Sequence, residues 1–428
     1  MTVVFIAFFV FLLMGIPITF VLGITAILAF LLKQDLIFLS LVPQRMFAGL
    51  NLFTIMAIPF FLLAAELMSL ARITDDLVRF ANAIVGRLKG GLAHVNVLAS
   101  AFFAGISGSA IADVAALGSI EIKAMTKAGY PKPFAAALTV ASSLIGPIIP
   151  PSIIMVIYGS IMQVSIAAMF LGGVVPGFLM VAMLMTMVWF MADRYNFPRR
   201  EEPLEPGELW RTTRSALLAL LMPAIILGGI LSGVFTATEA AAVAVAYAFF
   251  LGFVVKRTLR LVEVPPMLVR VSILPAVVFM VLATANILAW IIGLERVPDA
   301  IARGLLAISD NPFVLFLLVN IVLIFVGMFM DIGAAIIVLA PILGPAMIDA
   351  GIHPVHFGIV MSINLLVGLT TPPVGPCLFV AAGITRLRIE EISVAMLPFY
   401  VLQVAFLLAI TYFPILTLGL PRYFGYIQ

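Results

Sequence analysis

The sequence predicts an all-α polytopic membrane protein made of two inverted repeats, each holding a re-entrant helical hairpin and a discontinuous transmembrane helix. Three observations point there: long apolar runs in a chain that is 64% hydrophobic and 10% charged, a phrase ending in Pro-Pro that occurs twice, and basic residues that gather in the connections. The runs exceed what a soluble fold can bury, and each can cross a hydrocarbon core of about 30 Å. They are too long for outer-membrane strands and do not alternate with period two. Helices remain as the structure that satisfies its own backbone in lipid.

Spans are expected near 2–32, 46–71, 134–164, 166–192, 215–234, 237–255, 271–293, 357–383 and 395–420, with hairpins at 92–125 and 312–348. The first run, Val3 to Leu32, has no charged leader and no small-residue cleavage site, so it reads as a retained span and not a signal peptide. With the N-terminus cytoplasmic and the C-terminus periplasmic, the inside connections are 72–89, 121–133, 193–214, 256–270 and 385–391. They carry four, three, five, four and two basic residues, eighteen of the 23 Lys and Arg. Lys33, Arg45, Arg296, Arg303 and Arg422 lie outside, which is a clear positive-inside bias. A hairpin that crossed the membrane would move every later connection to the other face and abolish this bias, so both hairpins are read as returning to their own side.

The phrases S-S-L-I-G-P-I-I-P-P (Ser142 to Pro151) and N-L-L-V-G-L-T-T-P-P (Asn364 to Pro373) align without gaps at an offset of 222. The same offset pairs Phe103 with Phe325, Gly105 with Gly327, Ala128-Gly129 with Ala350-Gly351 and Gly146 with Gly368. Glycine and proline matches weigh most because they set backbone geometry. Upstream, Leu70 to Arg79 resembles Leu294 to Arg303 at an offset of 224. The first unit's entry loop, 72–89, is basic and its counterpart, 294–311, is not, which sets the two units on opposite faces. The expected division is a first repeat at 1–192, a cytoplasmic loop with a connecting span at 193–236, and a second repeat at 237–428. Inverted repeats whose broken helices meet near the midplane are a known transporter architecture.

Each hairpin has a glycine-rich tip, F-F-A-G-I-S-G-S-A-I-A-D (Phe102 to Asp113) and F-V-G-M-F-M-D-I-G-A-A (Phe325 to Ala335). Small residues let the backbone turn, free carbonyl oxygens and present the hydroxyls of Ser107 and Ser109. Gly146-Pro147 with Pro150-Pro151, and Gly368 with Pro372-Pro373, break the spans that follow. A tip facing such a break offers oxygens from two directions, which suits a hard cation such as Na⁺, while helix N-termini beyond the breaks can face an anion. Of four acids within apolar segments, Glu239 closes the capping box T-A-T-E and Glu66 lies one turn before a basic loop. Asp113 and Asp331 are the candidates for ion coordination or pathway electrostatics, with an N-cap role competing for Asp331. His94, His353 and His356 near segment ends read as solvated interface residues. The mixed-charge loop 193–214 reads as a solvated connection. One cysteine, Cys377, permits no internal disulfide, and no zinc, haem, nucleotide or nucleic-acid signature is present. No acid, base and nucleophile set argues for an enzyme.

Ser107 to Ile120, Gly233 to Ala244 and Gly368 to Gly375 resemble the signature stretches of the large membrane subunit of tripartite ATP-independent periplasmic (TRAP) transporters, in matching order along essentially the whole chain. The resemblance implies an elevator-type, sodium-driven importer of carboxylates such as sialic acid or C4-dicarboxylates in a bacterial or archaeal inner membrane, with Na⁺ as coupling ion and no cofactor. It implies two partners, a small four-helix membrane subunit and a periplasmic substrate-binding protein. Ser107, Gly108 and Ser109 with Ser142, Ser143 and Gly146 would form one sodium site. Asp331, Ile332 and Gly333 with Asn364, Gly368 and Thr370 would form the other. Substrate would lie between them near Pro150, Pro151, Thr371, Pro372 and Pro373, alongside Ser107 and Asp113. The alternative is an autonomous sodium-coupled anion transporter of similar build that needs neither partner.

Overall fold

The computed structural model describes residues 2–33, 37–195, 197–198, 207–297, 300, 303–304, 309 and 311–427. Among them every regular element is helical, and seven helices are long and apolar enough to cross a membrane, eight if the bent pair Lys132–Ile148 and Ile153–Ile161 counts as one span. The protein is therefore a multi-pass membrane protein. Arg199, Arg200, Glu201, Glu202 and Glu205 of the mixed-charge loop, and part of the 294–311 connection, lie outside the described residues.

Both hairpins stand where the sequence puts them. The first arm of hairpin 1, Gly91–Ser107, stops at Gly108, whose φ of +57° disfavours any residue with a Cβ. Ser109 then opens the second arm, Ala110–Lys127, by accepting the N–H of Ala112 at 3.4 Å. Hairpin 2 begins with the pair Asn311-Pro312, where the Asn311 side chain caps Pro312–Gly327. Its second arm, Ile332–Asp349, starts at Asp331, whose Oδ1 accepts the N–H groups of Gly333 and Ala334 at 2.9 and 3.3 Å.

The broken spans are equally clear. Broken span 1 runs as Lys132–Ser143 and Ile145–Ile148, opens at Ile149 to Ser152, and resumes as Ile153–Ile161 after a 43° bend. Broken span 2 runs as Pro354–Leu369, opens at Thr370 to Gly375, and resumes as Pro376–Thr385. Both Pro-Pro peptides are cis. Gly146 and Gly368 keep helical conformation, so the openings begin two to three residues later than expected from the glycines.

Four expected elements are corrected. The run 2–32 is two helices, Thr2–Leu13 and Ile18–Lys33, parted by Gly15 at φ +77° and by Pro17, which lacks the N–H a continuing helix needs. The span 46–71 is Ala57–Leu70 entered through a 3-10 turn at Phe53–Met56, and the residues before it form a separate helix, Ile37–Leu50. Arg45 therefore sits on a helix, with its guanidinium 4.4 Å from the Trp290 ring centre. The basic connection 72–89 is largely an amphipathic helix, Ile73–Val85, whose apolar side rests on hairpin 1. The last span ends at Tyr412, and Phe413-Pro414 lead into a short helix, Ile415–Tyr423.

Packing interleaves the two copies. The second arm of hairpin 1 rests on Lys132–Ser143 of its own broken span and on Pro376–Thr385 of the other. The second arm of hairpin 2 reciprocates, resting on Pro354–Leu369 of its own span and on Ile153–Ile161 of the other. Ile166–Arg194 and Ile389–Tyr412 flank this group. A second group brackets it: Ala57–Leu70 packs on Ala237–Phe250, and Val264–Leu294 carries Ile18–Lys33 and Ile37–Leu50. The groups meet where Ala57–Leu70 touches the first arm of hairpin 1 and Val264–Leu294 touches the second arm of hairpin 2.

Candidate functional site

The two hairpin tips converge on one cavity of about 80 Å³. Gly108, Ser109 and Ala110 line it from tip 1, Asp331, Ile332 and Gly333 from tip 2, and Pro147, Ile153 and Ile157 from broken span 1. Leu369 adds the edge of break 2, and Leu62 and Leu274 close it from the bracketing helices.

Tip 1 is pressed against break 1. A methyl group added at Gly108 would lie 2.7 Å from the Pro151 carbonyl oxygen, so only glycine permits this approach. The Ser109 carbonyl oxygen sits 3.6 Å from the corresponding point on Gly146. A carbonyl oxygen of the break thus faces the tip glycine, and a carbonyl oxygen of the tip faces the break glycine. The Ser107 hydroxyl accepts the Ser109 N–H at 3.5 Å, and the Ser152 hydroxyl closes the break by donating to the Pro147 carbonyl at 2.5 Å. Tip 2 is built differently. Gly327 and Gly368 meet backbone to backbone, and a methyl on Gly368 would lie 2.5 Å from the Gly327 carbonyl carbon.

The remaining expected residues divide by location. Ser142 and Ser143 are buried, with Ser143 donating to the Val140 carbonyl at 2.8 Å. Thr370 donates its hydroxyl toward Val367 and Gln403, and its carbonyl accepts from Tyr400. Thr371 bonds back to the Val367 carbonyl at 2.7 Å. Pro150 and Pro151 are buried, while Pro373 is exposed, so the two breaks differ in access. Thr371, Pro372 and the first Pro-Pro pair do not line the inter-tip cavity, and neither does Asp113. Asp113 is buried, with both carboxylate oxygens lacking a hydrogen-bond partner. Glu239 and Thr236 form the expected capping box, with Thr236 N–H to Glu239 Oε2 at 2.8 Å. The histidine expectation is corrected: His94 and His356 are buried, and His356 bonds to Thr417 and the Thr411 carbonyl, while His353 caps Pro354–Leu369.

Sequence reasoning missed a matched pair of links. In copy 1, Ser142 donates to Asn96 Oδ1 at 2.8 Å and Asn96 donates to Thr139 at 2.8 Å. In copy 2, Asn364 donates to Asn320 Oδ1 at 2.8 Å and Asn320 donates to Thr411 at 2.9 Å. Three of these bonds tie the first arm of a hairpin to its own broken span, and the fourth ties Asn320 to Ile389–Tyr412. The signal was available, since Asn96 and Asn320 stand at the offset of 224 already seen upstream and Ser142 and Asn364 at 222. Asn364 Oδ1 is buried and has no partner of its own, which leaves one acceptor beside break 2. Asn96→Ala is expected to destabilise the purified protein by about 1–3 kcal/mol, because buried hydroxyls lose their partner. A thermal-unfolding scan showing no shift would remove this role. Among the described residues, no three His, Cys, Asp or Glu gather as a metal site. Carbonyl and hydroxyl oxygens, with the Asp331 carboxylate, are what the tips present.

Comparison with known proteins agrees with this architecture. The family described as "Tripartite ATP-independent periplasmic transporter, DctM component" matches residues 5–416. The chain is 41% identical to a sialic acid TRAP transporter large permease protein of Vibrio cholerae over 97% of each chain. It is 40% identical to a C4-dicarboxylate TRAP transporter large permease protein of Pseudomonas aeruginosa over 89% of each. Among solved structures, the YdaH transporter of Alcanivorax borkumensis superposes with a TM-score of 0.64 at 16% identity, covering 91% of this chain and 88% of that one, a likeness of fold. These relatives are transport permeases and not enzymes. A hairpin-and-broken-helix core matched along nearly its whole length by one family model makes this chain a member of the DctM component family of tripartite ATP-independent periplasmic transporters.

Proposed function

We propose that this chain is the inner-membrane permease that carries an organic anion, of the sialic acid or C4-dicarboxylate kind, from a periplasmic binding protein into the cell on a Na⁺ gradient. The observation that carries this reading is the convergence of both hairpin tips on one cavity between broken helices. The positive end of Ala110–Lys127 meets an anion there, while at Ile332–Asp349 the Asp331 carboxylate already takes the Gly333 and Ala334 N–H groups, and Na⁺ supplies the compensating positive charge. Residues fit to hold the ion are Gly108 and Ser109 against Gly146 in copy 1, and Asn364 with the Gly368 to Thr370 carbonyls in copy 2. Ser107, Ser142, Ser143, Asp331, Ile332 and Gly333 complete the two sites in this reading. The word "tripartite" in the family description favours a small membrane subunit and a binding protein as partners. Inversion of the second repeat and elevator movement of the hairpin group are part of the same proposal, supported by the charge asymmetry and by the reciprocal packing.

The test is uptake of labelled sialic acid and succinate into proteoliposomes holding this chain, the small subunit and the binding protein. Uptake should require an inward Na⁺ gradient and all three components. Equal uptake by this chain alone would establish the autonomous alternative, and uptake indifferent to Na⁺ would end the coupling assignment. Asn364→Ala should raise the half-saturating Na⁺ concentration about tenfold, whereas Asn320→Ala should lower stability with little change in Na⁺ dependence. Identical behaviour of the two variants would remove Asn364 from the ion site.

A further inference from the structure

A larger chamber of about 490 Å³ lies beside the inter-tip cavity and shares Leu62 and Leu274 with it. Hairpin 1 supplies one wall, with Ser107 near the tip and a run of small residues that includes Ala116. The opposite wall comes from Ala57–Leu70 and Val264–Leu294. The chamber's lining holds two charged groups, Glu66 and Arg270, whose Nη2 donates to Glu66 Oε1 at 3.2 Å. The Arg270 side chain is 62% exposed and that of Glu66 36%. In the sequence Glu66 lies six residues before Arg72, and Arg270 ten residues after Arg260, so both stand at the edge of basic connections. Ala57–Leu70 and Val264–Leu294 also pack directly on each other, so the pair is not needed to join them.

From this geometry we infer that Glu66 and Arg270 form a carboxylate-exchange gate in the release chamber: a substrate carboxylate leaving the inter-tip cavity takes the place of Glu66 on Arg270, and Glu66 then takes it back. The inference rests on the anion-importer reading and adds a second, exit-side subsite to it. A guanidinium has five N–H donors in a planar fork suited to a carboxylate, and the bond to Glu66 employs few of them. An exposed ion pair is weak, so replacing one carboxylate by another is nearly balanced. Arg270 alone would trap the anion in an otherwise apolar chamber; Glu66 makes the occupancy transient.

The complete transporter, with Cys377→Ala and a reporter Ala116→Cys, is labelled in vesicles of either orientation by an anionic and a cationic thiosulfonate (2-sulfonatoethyl and 2-trimethylammonioethyl). Labelling should occur from the face bearing the basic connections. Arg270→Gln should lower the anion-to-cation rate ratio about tenfold and abolish protection by succinate, and Glu66→Gln should raise the ratio and strengthen protection. In proteoliposomes, with whichever of sialic acid and succinate the wild type accumulates, inhibition by internal solute should weaken in Arg270→Gln and strengthen in Glu66→Gln. A pair that only joins two helices would move both variants the same way or not at all, and either result overturns the gate. The labelling arm needs no turnover. Failure of all uptake would therefore count against the importer reading, while wild-type uptake with unmoved ratios would count against the gate alone.

Discussion

Gly368→Ala is expected to destabilise the protein and reduce uptake to background, while Gly146→Ala, the matching change at the offset of 222, leaves stability near the starting level. The two glycines share a place in the repeat but not a neighbour. A methyl on Gly368 would lie 2.5 Å from the Gly327 carbonyl carbon and 2.6 Å from its Cα, atoms of a backbone that cannot rotate aside. Overpacking of this kind costs about 1–3 kcal/mol where side chains can give way. Here the first arm of hairpin 2 must lift off its broken span. On Gly146 the nearest atom would be the Ser109 carbonyl oxygen at 3.6 Å, an ordinary contact, and alanine in a helix gains about 0.5–1 kcal/mol over glycine. Thermal unfolding of the two purified variants decides it; equal tolerance would refute the backbone-contact account.

A covalent bridge between the bracketing helices and the second hairpin should stop transport altogether. Leu274 on Val264–Leu294 and Ile332 at tip 2 line the same cavity, and their helices pack together. In a Cys377→Ala background, Leu274→Cys with Ile332→Cys, joined by a short bismaleimide with a cleavable disulfide, should lose more than nine-tenths of uptake and regain it, to the level of the single variants treated alike, when a reductant cleaves the bridge. Continued turnover with the bridge in place would show that the hairpin group does not travel past its bracket, and the elevator part of the proposal would fall.

The hairpins and broken helices were legible because glycine and proline act locally: Gly108, Pro150-Pro151 and Pro372-Pro373 dictate backbone geometry wherever they stand. The function of the glycines was not legible. Gly368 and Gly146 look alike in sequence, and only the fold reveals that one meets Gly327 and the other Ser109. The same holds for polar residues. His356 reads as an interface residue until Thr411 and Thr417, some sixty positions on, arrive to bond both ring nitrogens. Helix Ile37–Leu50 was hidden because Gln44 and Arg45 interrupt its apolar run, and Arg45 is accommodated by Trp290 from a distant segment. Ile73–Val85 reads as a connection because its charges dominate the segment, although Ile73, Leu77 and Ala81 fall on one buried stripe. At the candidate site, tip 1 stands against break 1 as their glycines suggest, whereas Asp113 is buried outside the lining of the inter-tip cavity, a placement its neighbours in sequence do not reveal.

The exchange of hairpin arms between the two broken spans bears on why the two halves share one chain. The second arm of each hairpin lies on the first stretch of its own broken span and on the second stretch of the other. Severed from each other, each half would lose the arm that covers the second stretch of its broken span. Expressed as two chains they would regain that cover by pairing, so the single chain guarantees each half a partner it needs.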